Sequence, residues 1–285
     1  MAEENQPLKT YRGNCHCGAF VYEVELPEIK AVSTCNCSIC TKKGYLWVKP
    51  SEIKVVKGDE DALTGYTFGS NTFYHKFCPT CATPLLCRGA GMLVLNARSI
   101  QGFNPWEVEI GTFDGNALGS PYQPHKYTGP EPTATIDNAT TYHGSCHCGA
   151  ITLALKSAPL DKNYPGQIMD CICSICVRNG YTWIYPPLSA VAIQGRETFG
   201  RYRMGRGAFE KTFCKVCGVN VGNEAAPIGE AEVAALTPEL RGFFELAKTL
   251  GTMNLKVLDG VDFAEVKEAK RAGEGAEAEP RYVNP

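Results

Sequence analysis

The sequence predicts a mainly β protein of two tandem domains, each pinned by a structural metal site, with a helical insertion in the second. Three observations lead there. A three-cysteine cluster, CNCSIC at 35–40, returns as CICSIC at 171–176. The cysteine pairs on either side of it return in the same order. Between these motifs lie short β-branched and aromatic runs bounded by Gly and Pro, the pattern of brief strands.

The repeat sets the organisation. YRGNCHCGAFVYEVELP from residue 11 corresponds to YHGSCHCGAITLALKSAP from residue 142, and GYTFGSNTFYHKFCPTC from 65 to RYRMGRGAFEKTFCKVC from 201. Cys35 to Cys171 and Cys78 to Cys214 are both offsets of 136 positions. Each copy carries C-x-C, then C-x-C-x-x-C, then C-x-x-C, so fourteen of the fifteen cysteines are accounted for and Cys87 is left over. The first domain is read as 11–128 and the second as 142–270. A Gly/Pro/Thr-rich linker at 129–141, or extended chain wrapping the first domain, joins them. A polar tail at 271–285 has too few apolar residues to pack and reads as mobile or extended.

Taken in order, AFVYEVEL alternates, with Phe20, Tyr22 and Val24 on one face and Val21, Glu23 and Glu25 on the other. YLWVKP, KVVKG, MLVLNAR and WEVEIGTF follow as strands, and AITLALK, YTWIYP and VAIQG repeat them in the second copy. The second copy then departs. Cys81 to Asn96 takes 15 residues, whereas Cys217 to Asn254 takes 37. The extra chain, about 224–250, holds EAEVAAL and PELRGFFELAKTLG, with Leu236, Leu240, Phe243, Phe244 and Ala247 at helical spacing. It reads as packing helices or as a wall over a substrate site.

Composition narrows the class. A net charge of -2 excludes a nucleic-acid or anionic-membrane partner held by bulk electrostatics. No run of eighteen apolar residues occurs, and the start, MAEENQPLKTYRG, lacks the order of a secretory signal. A cytoplasmic protein is expected. An odd number of cysteines in close pairs, in a reducing compartment, reads as metal ligation rather than disulfides.

Seven thiols per copy divide naturally. Zinc in a structural site takes four ligands, commonly as two close pairs from distant parts of the chain. Cys15, Cys17, Cys78 and Cys81 would form one four-thiolate site, and Cys146, Cys148, Cys214 and Cys217 the other. The middle triplets, Cys35, Cys37, Cys40 and Cys171, Cys173, Cys176, would each hold a metal with one position open. Three thiolates on Zn²⁺ leave such a site at about -1, poorly suited to activating water. Holding an incoming thiol as a nucleophile toward a small electrophile suits it better. A second structural zinc completed by a neighbour such as Asp170 is the competing reading of these triplets.

The order G-x-C-x-C-G, C-x-C-S-x-C, F-C-x-x-C, with N-x-R late in the first copy (Asn96, Arg98), resembles the glutathione-dependent formaldehyde-activating enzyme family. CNCSICTKKG at 35–44 is similar to its centromere protein V branch, whose long basic segment this chain lacks. The resemblance implies a β-tent fold of small antiparallel sheets in each copy, a structural zinc on the outer pairs and a catalytic zinc on each triplet. It also implies glutathione as co-substrate and carbon–sulfur lyase chemistry. Ala82 stands where the family has glycine, and Lys256 replaces the arginine of N-x-R, so each half departs somewhere.

His16 and His147 inside C-H-C are expected to brace ligands rather than bind metal. His75 reads as a surface strand residue or, in the first copy alone, a general base, since Lys211 takes its place in the second. Cys87 reads as a buried small hydrophobe. Arg98, Lys42, Lys43 and Arg178 read as solvated cations or as partners for glutathione carboxylates. The function read from all this is a zinc enzyme that adds a thiol to, or releases it from, a small electrophile. The alternatives are a family member recruited to lyase, dehydration or isomerisation chemistry on a larger molecule, or a non-catalytic zinc-stabilised module. The partner is a small molecule, and a monomer is expected because the tandem repeat imitates a dimer.

Overall fold

A computed structural model describes residues 7–118, 120–271 and 281–285. The chain forms two compact units, one of residues up to 122 with 177–180 and 283–285, the other of 123–176 and 181–282. Both are mainly β.

The first unit contains β1 (Lys9–Asn14), β2 (Val21–Leu26), β3 (Ala31–Cys35), α1 (Ser38–Lys43), β4 (Trp47–Val48), β5 (Lys54–Lys57), β6 (Thr64–Tyr66), β7 (Phe73–Phe77), β8 (Pro84–Gly89), β9 (Met92–Asn96) and β10 (Glu109–Phe113). These make a three-stranded sheet, β1-β2-β5, and a seven-stranded sheet, β10-β3-β4-β9-β8-β7-β6. All pairings are antiparallel except β10 beside β3. In β2 the alternation holds for Tyr22, Val24 and Leu26, but Val21 is also fully buried, because the strand end is covered on both faces.

The second unit repeats the plan with β11 (Thr140–Ser145), β12 (Thr152–Ser157), β13 (Ile168–Asp170), α2 (Ser174–Asn179, of which 177–179 fall in the first unit), β14 (Trp183–Ile184), β15 (Val191–Gln194), β16 (Phe199–Arg203), β17 (Phe209–Cys214), β18 (Asn220–Ala225), α3 (Glu230–Ala234), α4 (Pro238–Ala247), β19 (Met253–Asn254) and β20 (Lys270–Arg271). Its sheets run β11-β12-β15 and β16-β17-β18-β19-β14-β13-β20. Each core is a set of fully buried aliphatic and aromatic side chains, Phe20, Leu85, Leu86 and Leu95 in one and Ile151, Leu153, Ile184 and Phe213 in the other. Burying each contributes about 1.5–3 kcal/mol.

The insertion is helical, as its periodicity predicts, and divides into two helices, α3 and α4. Thr237 caps α4 by accepting from the Leu240 N–H, and Pro238 occupies its first turn. Leu236 and Phe244 pack with Ala208, and the Phe209 and Phe244 rings lie 6.4 Å apart. Phe243, expected on the same face, is 64% exposed, since the helix turns a narrower stripe to the sheet than its spacing allows. The groove between the helices and the end of β18 is lined by residues such as Pro227, Ile228, Arg241 and Phe244 and by no cysteine. The helices pack on β18 and on Ala208 and Phe209.

The segment expected to be a linker packs on the second unit rather than around the first. Tyr127 is buried and its hydroxyl donates to Pro130 O at 2.7 Å, while the Ala134 N–H donates to Ser189 O at 3.0 Å. A carbonyl of the 3-10 turn Leu188–Ala190 is the acceptor that ties Ala134 to the unit. At the other end, Lys270–Arg271 pairs in parallel with β13, although the tail was expected to begin at 271. Of that tail, 272–280 lie outside the described residues. Its last residue is held in the first unit, where Pro285 O accepts from Arg12 Nε at 3.2 Å and Gln101 Nε2 at 3.3 Å.

Among the described residues no helix is long and apolar enough to cross a membrane.

A candidate metal centre in each unit

The β1–β2 turn brings Cys15 and Cys17, from one sheet, against Cys78 and Cys81, from the β7–β8 turn of the other. The β11–β12 and β17–β18 turns do the same with Cys146, Cys148, Cys214 and Cys217. Within each group all four Sγ atoms lie within 4.8 Å of one another. Cys15–Cys17 and Cys17–Cys78 are 3.6 and 3.5 Å apart, and Cys146–Cys148 and Cys148–Cys214 are 3.5 and 3.6 Å. A disulfide would need about 2.05 Å. A tetrahedron with Zn–S of 2.3 Å has an edge of about 3.8 Å, so the spacing fits zinc. Backbone N–H groups support the sulfurs: Phe20 and Ile151 donate to Cys15 and Cys146 at 3.3 and 3.2 Å.

The turn after the fourth ligand needs a left-handed residue. Gly218 supplies it at φ 67°, and Ala82 takes it at φ 56°. A side chain in that region costs roughly 1–2 kcal/mol, and the first unit carries the cost.

The middle triplets form two further groups, Cys35 with Cys37 and Cys40, and Cys171 with Cys173 and Cys176. In each, the first thiol ends a strand or follows it, and the third lies on a one-and-a-half-turn helix. Gly44 (φ 62°) and Gly180 (φ 63°) end those helices in the left-handed region, turning the chain into an aromatic strand. Among the described residues no histidine or carboxylate joins either group. Asp170 instead accepts from Thr182 Oγ1 at 2.8 Å. His16 and His147 are buried but outside the four-thiol groups.

Each triplet is packed against a stacked aromatic pair, Tyr45–Trp47 at 4.0 Å between ring centroids and Tyr181–Trp183 at 4.1 Å. The indole N–H of each tryptophan donates to the third thiol, Trp47 to Cys40 at 3.4 Å and Trp183 to Cys176 at 3.3 Å. The pairs are brought into place by Asn96 and Asn254. Each accepts from the backbone of the strand entry (Leu46 N–H and Thr182 N–H, both 3.2 Å) and donates to a carbonyl of the facing strand. In the first triplet hydrogen bonds from Cys37, then Cys40, bring the Cys35 thiol down to about 2. In the second, Cys173 is the lowered thiol, through Cys171 and then Cys176, while Cys171 is pushed up to about 11.

Several expected surface groups are buried. His75 is 7% exposed, its ring 5.7, 6.3 and 5.9 Å from those of Tyr45, Trp47 and Phe68. Lys42, Lys43 and Arg178 are also buried, at 4, 1 and 7% exposure. The Lys43 ammonium lies 4.3 Å from the Phe77 ring centroid, and Arg178 donates to Asn284 Oδ1. Arg98 donates to Gly44 O at 2.8 Å and Val177 O at 3.3 Å, bracing the first unit rather than awaiting a carboxylate. A cation's exposure follows the packing around it, which charge pattern alone does not reveal. Cys87 is buried as expected, and burial, followed by the nearby Cys37 charge, pushes its thiol up to about 12.

Sequence reading missed one contributor. The loop after β10 closes on the first triplet: a Cβ on Gly115 would fall 2.4 Å from Cys35 Sγ. Asn36 clamps this loop, donating to Asp114 Oδ1 at 2.8 Å and accepting from the Asn116 N–H at 2.9 Å. The signal was an asparagine inside C-N-C, where the second copy has Ile172.

The sequence model of one family, described as glutathione-dependent formaldehyde-activating enzyme, matches residues 10–124 and 141–245. One solved structure, a Rhodobacter sphaeroides protein from structural genomics, is 33% identical, over 35% of this chain and 98% of its own, with a TM-score of 0.31.

Proposed function

Since both halves match that model, the chain belongs to the glutathione-dependent formaldehyde-activating enzyme family, and from that premise we propose that it joins a thiol, glutathione or a relative, to a small electrophilic carbon, or releases it. Family membership and the thiol groups together support a glutathione-related, zinc-binding enzyme. The observation that carries the finer reading is the count of donors. Beside a four-thiol group in each unit stands a second group that stops at three.

Zinc bound to three thiolates supplies a fourth position at which an incoming thiol is kept as its thiolate. The remaining work falls to the chain. The Trp47 and Trp183 N–H groups fix the third sulfur of each triplet and draw charge from it. The stacked rings cover the thiols and keep bulk water from competing with the incoming sulfur. In the addition direction the S–H bond breaks and a C–S bond forms. The thiol proton ends on the carbonyl oxygen, so no oxidant or reductant is consumed. In the first unit the His75 imidazole, within the aromatic shell, is the group able to carry that proton. Outer pairs hold each fold and the triplets do chemistry, so up to four zinc ions per chain are expected, two structural and two catalytic. A small-molecule substrate and a monomeric state complete the reading.

The test is hemithioacetal formation from glutathione and formaldehyde, followed with Cys37→Ser, Cys173→Ser and the double variant. Acceleration by the wild type, lost in the double variant while both units stay folded, is the expected result. No acceleration with any thiol–aldehyde pair, at full zinc content, overturns it.

A further inference from the structure

Strand register lays the same three positions across the seven-stranded sheet of each unit. In the first, Tyr66 pairs with His75 and His75 with Cys87. In the second, Tyr202 pairs with Lys211 and Lys211 with Asn223. The tyrosine is kept, while an imidazole and a thiol become an ammonium and an amide.

Lys211 is half-buried, with its Nζ 4.6 Å from the Trp183 ring centroid and 5.7 Å from that of Tyr181. This is the aromatic pair that covers the second triplet and donates to Cys176. Among the described residues no carboxylate and no hydrogen-bond acceptor meets this ammonium, and the groups against it are the two rings. Cation–π contact is worth about 0.5–2 kcal/mol, less than a desolvated ion pair, so the ammonium retains capacity for an anion.

The surrounding shell has changed in the same direction. Met169 and Tyr185 pack on the second triplet with Met204, where the first copy has Ser33, Lys49 and Phe68 at the corresponding positions. The second triplet thus sits in a more apolar box with the half-buried Lys211 on its aromatic pair. In the first the imidazole of His75 takes that place, and the cation near the pair, Lys43, is 1% exposed and enclosed between the Tyr45 and Phe77 rings at 5.7 and 4.3 Å. Three thiolates and Zn²⁺ sum to about -1; Lys211 brings the second site to zero, so an added anion meets less repulsion there.

Building on the function proposed above, we propose that the second unit selects an electrophile carrying a carboxylate on an apolar body, with Lys211 as the anion-recognising residue, and that the first unit makes no such selection. The test is calorimetric titration of the full chain, loaded with zinc, using phenylglyoxylate and its uncharged methyl ester. These share the electrophilic carbonyl and differ in charge. Wild type is expected to bind the acid at least tenfold more tightly than the ester. Lys211→Met erases the difference, Lys211→Arg keeps it, and His75→Gln leaves it unchanged. Retention of the preference in Lys211→Met, or no preference in the wild type, overturns the assignment. The two readings fail separately. A charge preference without thiol addition sinks only the activity, and thiol addition without charge preference sinks only the role of Lys211.

Discussion

Replacing Cys78 with alanine should cost the first unit far more stability than replacing Cys37. Cys17 and Cys78 are 61 residues apart in sequence and 3.5 Å apart in space. A metal tie across that span removes chain entropy from the unfolded state much as a disulfide does, about 4 kcal/mol on the loop-closure estimate. It also joins the three-stranded sheet to the seven-stranded one, which no short-range contact replaces. The triplet tie from Cys35 to Cys40 closes only a few residues, and the same estimate gives about 2 kcal/mol. Against a typical domain stability of 5–15 kcal/mol, the first loss threatens folding and the second does not. Urea unfolding followed by tryptophan emission, with metal counted by mass spectrometry, separates the two. Cys78→Ala should lower the first unit's unfolding free energy by at least about 4 kcal/mol, and Cys37→Ala by no more than about half that. Equal losses, or a larger loss for Cys37→Ala, would refute the division between structural outer pairs and a working triplet.

Two further outcomes follow from side chains at the first unit's edges. Gly115→Ala places a methyl carbon where only 2.4 Å separates it from Cys35 Sγ, so the zinc count should fall by one per chain while both outer groups stay filled; native mass spectrometry showing the full count refutes this. Burial alone would raise the Glu60 carboxyl, yet Arg88, donating at 2.6 and 2.8 Å, and Lys76 hold it below its ordinary value of 4.5. A depressed folded value means the stabilisation is complete above 4.5 and is lost as pH falls through the lower folded value. Glu60→Gln should therefore weaken the first unit near neutral pH and flatten its acid-induced loss; an unchanged pH slope below about 4.5 counts against the ion pair.

The chain itself determines which thiols can act together. Ligands one or three residues apart are placed by covalent geometry and a single turn, so C-x-C and C-x-x-C are legible before any packing is known. The repeat shows that one arrangement serves both copies; the grouping of the outer pairs follows from the four ligands a structural zinc takes, and the folded sheets bring those pairs together. Strands around YLWVKP and AITLALK were legible for the same reason, since alternation and β-branching act locally. The insertion's helices were legible through their period, but not the exposure of Phe243, which depends on how much of the helix the sheet can cover.

What only the tertiary structure decided is the company each triplet keeps. Nothing local to CNCSIC says that Gly115, eighty residues on, closes against Cys35. Nothing in YHKFC says that His75 lies among rings rather than in water, or that Lys211 at its counterpart rests on Trp183. Burial of a charge depends on which strands pair and what they carry across the ladder, a long-range property that no window of sequence contains. The repeated CNCSIC and CICSIC make the two sites equal on paper. The sheets make them different, by laying an imidazole against one aromatic pair and a half-buried ammonium at the same register position against the other.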